Sequence, residues 1–283
     1  VAADRGGAAA ASPLAAFMQG WSLEATHPTA AEIAAVIAAA PAGTRVYLSA
    51  PPRQSVERVL EAVARLVAGG LAPVPHLAAR HFAEAAEIED FLRRLGDAGV
   101  AHVLVLAGDR DVPAGTFADA AAVIRSGLLQ RHGIRRIGIS GYPEGHPRIP
   151  DPVLARAQAE KLAAAAEAGL AVEVVTQFCF DPDAVVRWVR GLRAGGLDLP
   201  LRIGIAGPAG VASLLRYAAR CGVRASALGL ARNIGGMRAV VGQATPDLLL
   251  RALSEQLQGL GPVTPHFYSF GGVAQTARYA AAA

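Results

Sequence analysis

The chain has 283 residues, 53% of them hydrophobic and only 5% aromatic, with a formal net charge of +4. That balance suits one large core of Ala, Val, Leu and Ile, while the scattered cations, dense only at 131–136 (RHGIRR), argue against a nucleic-acid groove. No apolar run reaches the ~18 residues of a membrane span, and Cys179 and Cys221 lack metal-ligand spacing and fit a reducing cytoplasm.

Residues 1–20 are small and Ala-rich without the basic start of a secretory signal, and read as a mobile leader ahead of a single domain over 21–283. From there one unit recurs: a short Val/Ile/Leu run, a loop with Gly, Pro or a polar residue, then an Ala-rich stretch of helical period. Strands are expected at 21–26, 45–50, 73–79, 102–108, 136–142, 172–180, 201–207 and 266–270. Helices are expected at 29–40, 54–69, 83–98, 117–131, 152–168, 182–194 and 209–221, with a further helical region over 226–259. Thr29, Ser55 and Asp181-Pro182 are helix-opening residues at three of these starts. Strict alternation predicts parallel strands with crossover helices, and eight strands fit an α/β (β/α)8 TIM barrel better than an open doubly wound sheet.

In such a barrel, chemistry sits at the C-terminal strand ends and the loops after them. The residues found there are Glu24, His27, Ser49, His76, Gly108, Asp109, Tyr142, Glu144, His146, Thr176, Gln177, the loop 204–210, His266 and Tyr268. The stretch GYPEGHPRIPD (141–151) is stiffened by three prolines, which lowers the ordering cost of presenting Tyr142 and His146 to a ligand. It also fits a rigid connector whose Glu and His satisfy loop amides. Glu24 follows an apolar strand, where a carboxyl can keep its proton near neutral pH, or it is a salt-bridged rim carboxylate. Asp109 can accept two hydrogen bonds from a 2-amino-pyrimidinone edge, or cap a turn. Gln177 can donate and accept toward a ligand or bond a neighbouring strand, and His76 can serve as a structural hydrogen-bonding group. The glycines of 204–210 suit a phosphate site or a plain tight turn.

The succession SLEATHP, VPHLAA, LAGDRDVPAG, GYPEGHP, AEAGLAVEVVTQFCFD and HFYSF, over about 21–280, resembles the methylenetetrahydrofolate reductases. That resemblance implies a (β/α)8 barrel reducing 5,10-methylenetetrahydrofolate to 5-methyltetrahydrofolate, usually with hydride passed from NADH or NADPH through FAD. It implies that Glu24 is the general acid for the pterin N10, that Asp109 and Gln177 contact the pterin, and that Tyr268 is retained on the substrate side. His76, Tyr142 and His146 match positions lining the flavin, and Ser49 and Gly108 join them as cofactor-binding candidates.

Several positions depart from the family pattern. Ala107 stands where flavin-binding members place Arg before Gly-Asp, Gly272 where an Arg contacts folate, and Ala25-Thr26-His27-Pro28-Thr29 where Phe-Phe-Pro-Pro-Arg follows the acid. On the helix after GYPEGHP, the Asp, Asn and Arg-Lys pair that hold FAD align with Gln158, Lys161, Ala164 and Ala165. Losing cationic partners of a pyrophosphate weighs against tight FAD binding and favours the branch that moves hydride from NAD(P)H directly to folate, with Tyr142 and His146 on the donor side. A conventional FAD enzyme and a non-catalytic folate-binding protein are the alternatives. The expected partner is a small-molecule folate, in the cytoplasm, with neither nucleic acid nor membrane, and with room for a homo-oligomer.

Overall fold

Alternation along the first strand decides what faces the barrel interior. In β1 (Ser22–Thr26), Leu23 and Ala25 are buried in the layer between strands and helices, so Ser22 and Glu24 point to the opposite, inner face. The same period runs through β2 (Arg45–Ser49), β3 (Ala72–Ala78), β4 (His102–Leu106), β5 (Arg136–Gly141), β6 (Ala171–Cys179), β7 (Leu201–Ala206) and β8 (Val263–Tyr268). In the computed structural model, which describes residues 11–49, 55–220 and 243–283, these eight parallel strands form a closed barrel. β8 pairs with both β7 and β1, with Glu24 opposite Tyr268 and Ser22 opposite His266. The barrel is the (β/α)8 fold that the alternation predicts.

The helices are α1 (Pro13–Met18), α2 (Ala30–Ala39), α3 (Val56–Ala68), α4 (Ala85–Asp97), α5 (Ala120–Arg125), α6 (Leu128–Arg131), α7 (Asp151–Glu167), α8 (Pro182–Ala194), α9 (Val211–Arg220), α10 (Asp247–Gln256) and α11 (Val273–Ala282). At three of them the caps are the residues marked in the sequence. The Thr29 hydroxyl accepts from the Glu32 amide while Glu32 accepts from the Thr29 amide, a reciprocal box. Ser55 accepts from the Arg58 amide, and Asp181 accepts from the amides of Asp183 and Ala184 ahead of Pro182. The helices lay their apolar faces on the barrel: Val59, Val63 and Leu66 of α3, and Ile88, Leu92 and Leu95 of α4, are almost wholly buried. Each such side chain stabilises the fold by about 1.5–3 kcal/mol relative to exposure.

Four differences from the sequence reading have local causes. The helix expected over 117–131 is two pieces, because Gly127 takes φ 76° and interrupts it. The helical region expected over 226–259 is not continuous: Gln243–Ala244 pair antiparallel with Ala209–Gly210, and the helix begins at Asp247; residues 226–242 of that expectation, like Cys221, lie outside the described residues. α11 has no counterpart among the expected helices, and it packs on α2 and β1. Within the segment read as a leader, α1 packs on α10 and β8 with Phe17 and Met18 buried.

The barrel interior is partly apolar and partly charged. Tyr47, Val74, Leu104 and Val175 form one inner cluster. Beside it, the fully buried Glu173 carboxylate accepts from the Tyr47 hydroxyl and from Arg202 Nε at 3.1 Å, with Arg45 Nη1 at 3.4 Å. Burial pushes the Glu173 carboxyl up, opposed by its bond to Tyr47 and by the nearby Arg45 and Arg136. A charge this deep is tolerable only because it is paired and hydrogen-bonded.

Candidate active site

The inner-face residues at the C-terminal end of β1, β3 and β8 converge on Glu24. Its side chain is 15% exposed, with Oε2 lying 3.5 Å from His76 Nε2 and 3.7 Å from His266 Nε2. At those separations the contacts are electrostatic rather than well-formed hydrogen bonds. Both Nε2 atoms are buried without a hydrogen-bond partner among the described residues, so the pair presents two unused polar positions beside the carboxyl. Burial pushes the Glu24 carboxyl above its ordinary range, and the neighbouring His76 offsets only part of that. Burial also lowers His76 and drives His266 down to about 3, so near neutral pH both rings are neutral.

His266 is held from behind. The Ser22 hydroxyl lies 2.9 Å from His266 Nδ1 and accepts from Arg202 Nη1 at 3.0 Å, which ties the ring to the buried Glu173–Arg202 pair. The Tyr47 ring stands edge-on to His266 at 4.7 Å and to His76 at 6.4 Å. Tyr268 packs edge-on to His266 at 5.1 Å and donates its hydroxyl to the Thr176 carbonyl at 3.0 Å. Its ring continues into an aromatic wall with Phe178, Phe270 and Tyr217, the last two stacked at 4.2 Å.

Gln177 stands at an irregularity of β6, where the register to β7 slips between Val175 and Phe178. Its backbone carbonyl accepts from the Thr176 hydroxyl, its side chain is half-buried, and Gly204 lies directly beneath the slip. At the end of β2, the Ser49 hydroxyl bonds that of Thr26 at 2.6 Å. After β4, Gly108 adopts φ 94° above the ring of His81, and Asp109 Oδ1 meets His81 Nε2 at 3.0 Å.

The proline-rich loop after β5 is anchored at both ends. Gly145, with φ 76°, donates to the Tyr142 carbonyl and closes a turn around Pro143 and Glu144. The Glu144 carboxylate accepts from the amides of Phe180 and Asp181 at 2.9 and 3.2 Å, fixing the loop to the end of β6. Tyr142 and His146 meet edge-on at 5.3 Å, and His146 Nδ1 accepts from the Arg148 amide, leaving Nε2 to carry the proton. In the 204–210 loop the Gly207 amide is already committed to the Tyr268 carbonyl.

On α7, Ala164 and Ala165 are buried in the core. Lys161 Nζ donates to Ser140 Oγ at 3.4 Å, and burial lowers its ammonium to about 8 despite the opposing pull of Asp119. Among the aligned helix positions, Lys161 alone carries a positive charge.

Glu24, His76 and Tyr268 therefore form one cluster; Gly108 and Asp109 form a second with His81; Tyr142 and His146 form a third on the loop tied to the Gln177 strand. His266 belongs to the strand-end set but not to the candidate site residues of the sequence, although the spacing His266-x-Tyr268 puts both on one strand face. Tyr47, Ser22, His81 and Arg202 carry no individual signal in the sequence.

Comparison with known proteins identifies the family. A family model, Methylenetetrahydrofolate reductase, matches residues 38–227. Over 138 residues the chain is 30% identical to Methylenetetrahydrofolate reductase 2 of Saccharomyces cerevisiae, covering 46% of this chain and 23% of that protein. It is 29% identical over 155 residues to 5,10-methylenetetrahydrofolate reductase of Pectobacterium carotovorum, covering 55% and 50% respectively, so the match spans half or less of each relative. The dihydropteroate synthase of Thermus thermophilus superposes with a TM-score of 0.51 at 15% identity, covering 93% of this chain and 91% of that one, a likeness of fold alone. With most of the chain inside the family match, the chain belongs to the methylenetetrahydrofolate reductase family.

Proposed function

We propose that this protein reduces 5,10-methylenetetrahydrofolate to 5-methyltetrahydrofolate, taking hydride directly from NADH or NADPH without a bound flavin. The observation that carries the reading is Glu24, a carboxyl shielded from water between two neutral imidazoles and held above its ordinary pKa. A carboxyl in that state holds its proton to higher pH than an ordinary glutamate and can hand it to an acceptor in the barrel mouth. Transfer to the pterin N10 breaks the N10–methylene bond, and the ring opens to an N5 iminium. The dihydronicotinamide, when bound, supplies the hydride that turns this iminium into the N5 methyl group.

The other residues bind and orient. Asp109 accepts from the pterin's ring and amino hydrogens, Gln177 donates and accepts at its edge, and Tyr268 closes the aromatic side of the site. His76, Ser49, Gly108, Tyr142 and His146 bound the donor side, the last two on a loop whose fixed anchors limit the ordering cost of binding. The FAD-dependent reading draws on Lys161 alone among the aligned helix positions, and the buried Ala164 and Ala165 have no charge to offer a pyrophosphate. The residues present do not fit that group. The site's setting is the cytoplasm, and no helix among the described residues is long and apolar enough to cross a membrane.

The test is Glu24→Gln, which keeps shape and hydrogen-bonding capacity but removes the acid. Turnover of methylenetetrahydrofolate with NADH should fall by about 10²–10⁴-fold while folate still binds. Wild-type rates in the variant would remove the proposed proton donor.

A further inference from the structure

We propose that His81 is a positioning residue that sets the orientation of Asp109 for its ligand. The inference rests on the reductase reading, in which Asp109 receives the hydrogen-bond donors of the pterin. The Asp109 side chain is 64% exposed, so nothing in its packing fixes the carboxylate plane, whereas the His81 side chain is 14% exposed and its ring is therefore the fixed partner. The contact is His81 Nε2 to Asp109 Oδ1 at 3.0 Å. An ionised carboxylate accepts only, so the hydrogen lies on Nε2 and His81 donates. One bond of this kind occupies one of about four acceptor positions and leaves the rest for a ligand.

The surrounding backbone is shaped for this ring. His81 ends a 3₁₀ turn, Ala79–His81, that follows β3. Gly108 crosses above the imidazole so closely that a Cβ there would meet His81 Nε2 at 3.1 Å and Cδ2 at 3.3 Å, and its φ of 94° disfavours any other residue. Neighbouring Arg80 fastens the Asp109 loop to the same turn: Nε donates to the Ala118 carbonyl at 2.6 Å, and Nη1 to the Arg110 carbonyl at 3.0 Å. Gly115 packs so tightly on the Ala83 carbonyl that a Cβ would lie 1.9 Å from its oxygen. With the backbone of the loop held this way, the carboxylate rotor is the remaining freedom, and His81 restrains it.

The experiment compares wild type, His81→Ala and His81→Gln for methylenetetrahydrofolate turnover and for equilibrium binding of 5-methyltetrahydrofolate, each with and without Asp109→Ala. His81→Ala should raise the folate KM and dissociation constant about tenfold, with kcat, the NADH KM and the thermal midpoint little changed. His81→Gln, whose amide nitrogen reaches to the place of Nε2, should restore folate affinity to within about threefold. In the Asp109→Ala background His81→Ala should have no further effect. Unchanged folate constants, equal losses with and without Asp109, or losses shared by kcat, NADH KM and thermal midpoint without rescue by Gln would overturn the role of His81 alone. A wild type that neither turns over nor binds the folates would overturn the reductase reading and this role with it.

Discussion

His266 shows how far one buried side chain can be read as free energy. Its ring is completely buried and held at about 3, against an ordinary value of 6.5, because burial denies the charged form its water. Below pH 6.5 the unfolded chain takes a proton at this position that the folded chain refuses. The folded-state contribution is therefore intact above 6.5 and is lost as pH falls from there toward 3, at up to about 1.4 kcal/mol per pH unit. Glu24 runs the opposite way: its raised carboxyl favours the folded state at low pH, and that share is lost as pH rises through the raised value. Denaturant unfolding of wild type and His266→Asn separates the two, since Glu24 is common to both. The wild type's margin over the variant should shrink as pH drops from 6.5 to 5, and a margin independent of pH would contradict a neutral buried imidazole. The sequence could mark Glu24, since a carboxylate at an apolar strand end is conspicuous. It could not report that His76 and His266 flank it, because their spacing from Glu24 along the chain is set by barrel closure.

Among the elements, β6 departs from regular pairing with its neighbour β7. The slip between Val175 and Phe178 turns Thr176 and Gln177 out of register, and Gly204 on β7 is what allows it. Its amide donates to the Thr176 hydroxyl at 2.8 Å, and a Cβ at that position would come within 2.6 Å of the backbone carbonyls of Thr176 and Gln177. Backbone cannot rotate aside as a side-chain tip can, so Gly204→Ala must shift the strand. We expect about 1–3 kcal/mol of destabilisation and, on the proposed reading of Gln177 as a pterin contact, a raised folate KM, because Gln177 moves with its carbonyl. Gly191→Ala in α8 is the matched control: a Cβ there meets nothing within 4 Å, and the helix should gain about 0.5–1 kcal/mol. Equal thermal midpoints for Gly204→Ala and wild type would show that the slip is not held by this contact. Strand and helix periods were legible because apolar runs and capping residues are local signals, as at Thr29 and Asp181. The slip was not, since VEVVTQFCF reads as one uninterrupted buried strand. Nor was α11, whose N-cap is Gly272, with φ 114° and no side-chain bond to mark the start.

At the scale of the whole molecule, the barrel places its cations unevenly between the interior and α7, and on the proposed reading that division bears on the hydride donor. The arginines Arg45 and Arg202 are spent on the interior, where they neutralise Glu173 across strands 128 and 29 residues apart in the chain. That pairing was invisible in the sequence, because neither arginine is near its carboxylate until the sheet closes. On the outside of the barrel α7 turns Ala164 and Ala165 into the core, and Lys161 stands half-buried with its ammonium lowered to about 8. At neutral pH that lysine still holds its proton, so the positions of α7 aligned with the flavin-holding residues of the family pattern bring one positive charge. Each charge-assisted bond to a phosphate oxygen contributes about 1.5–3 kcal/mol; removing two or three weakens a dinucleotide by roughly two to six powers of ten. The purified protein should therefore show no flavin band in its visible spectrum, and NADH oxidation with methylenetetrahydrofolate should proceed at the same rate whether or not FAD is added. Lys161→Ala should leave that spectrum unchanged. A yellow preparation holding one flavin per chain, with activity lost when the flavin is stripped and regained on its return, would mean that phosphate contacts come from elsewhere in the chain and that hydride reaches the folate through the flavin after all.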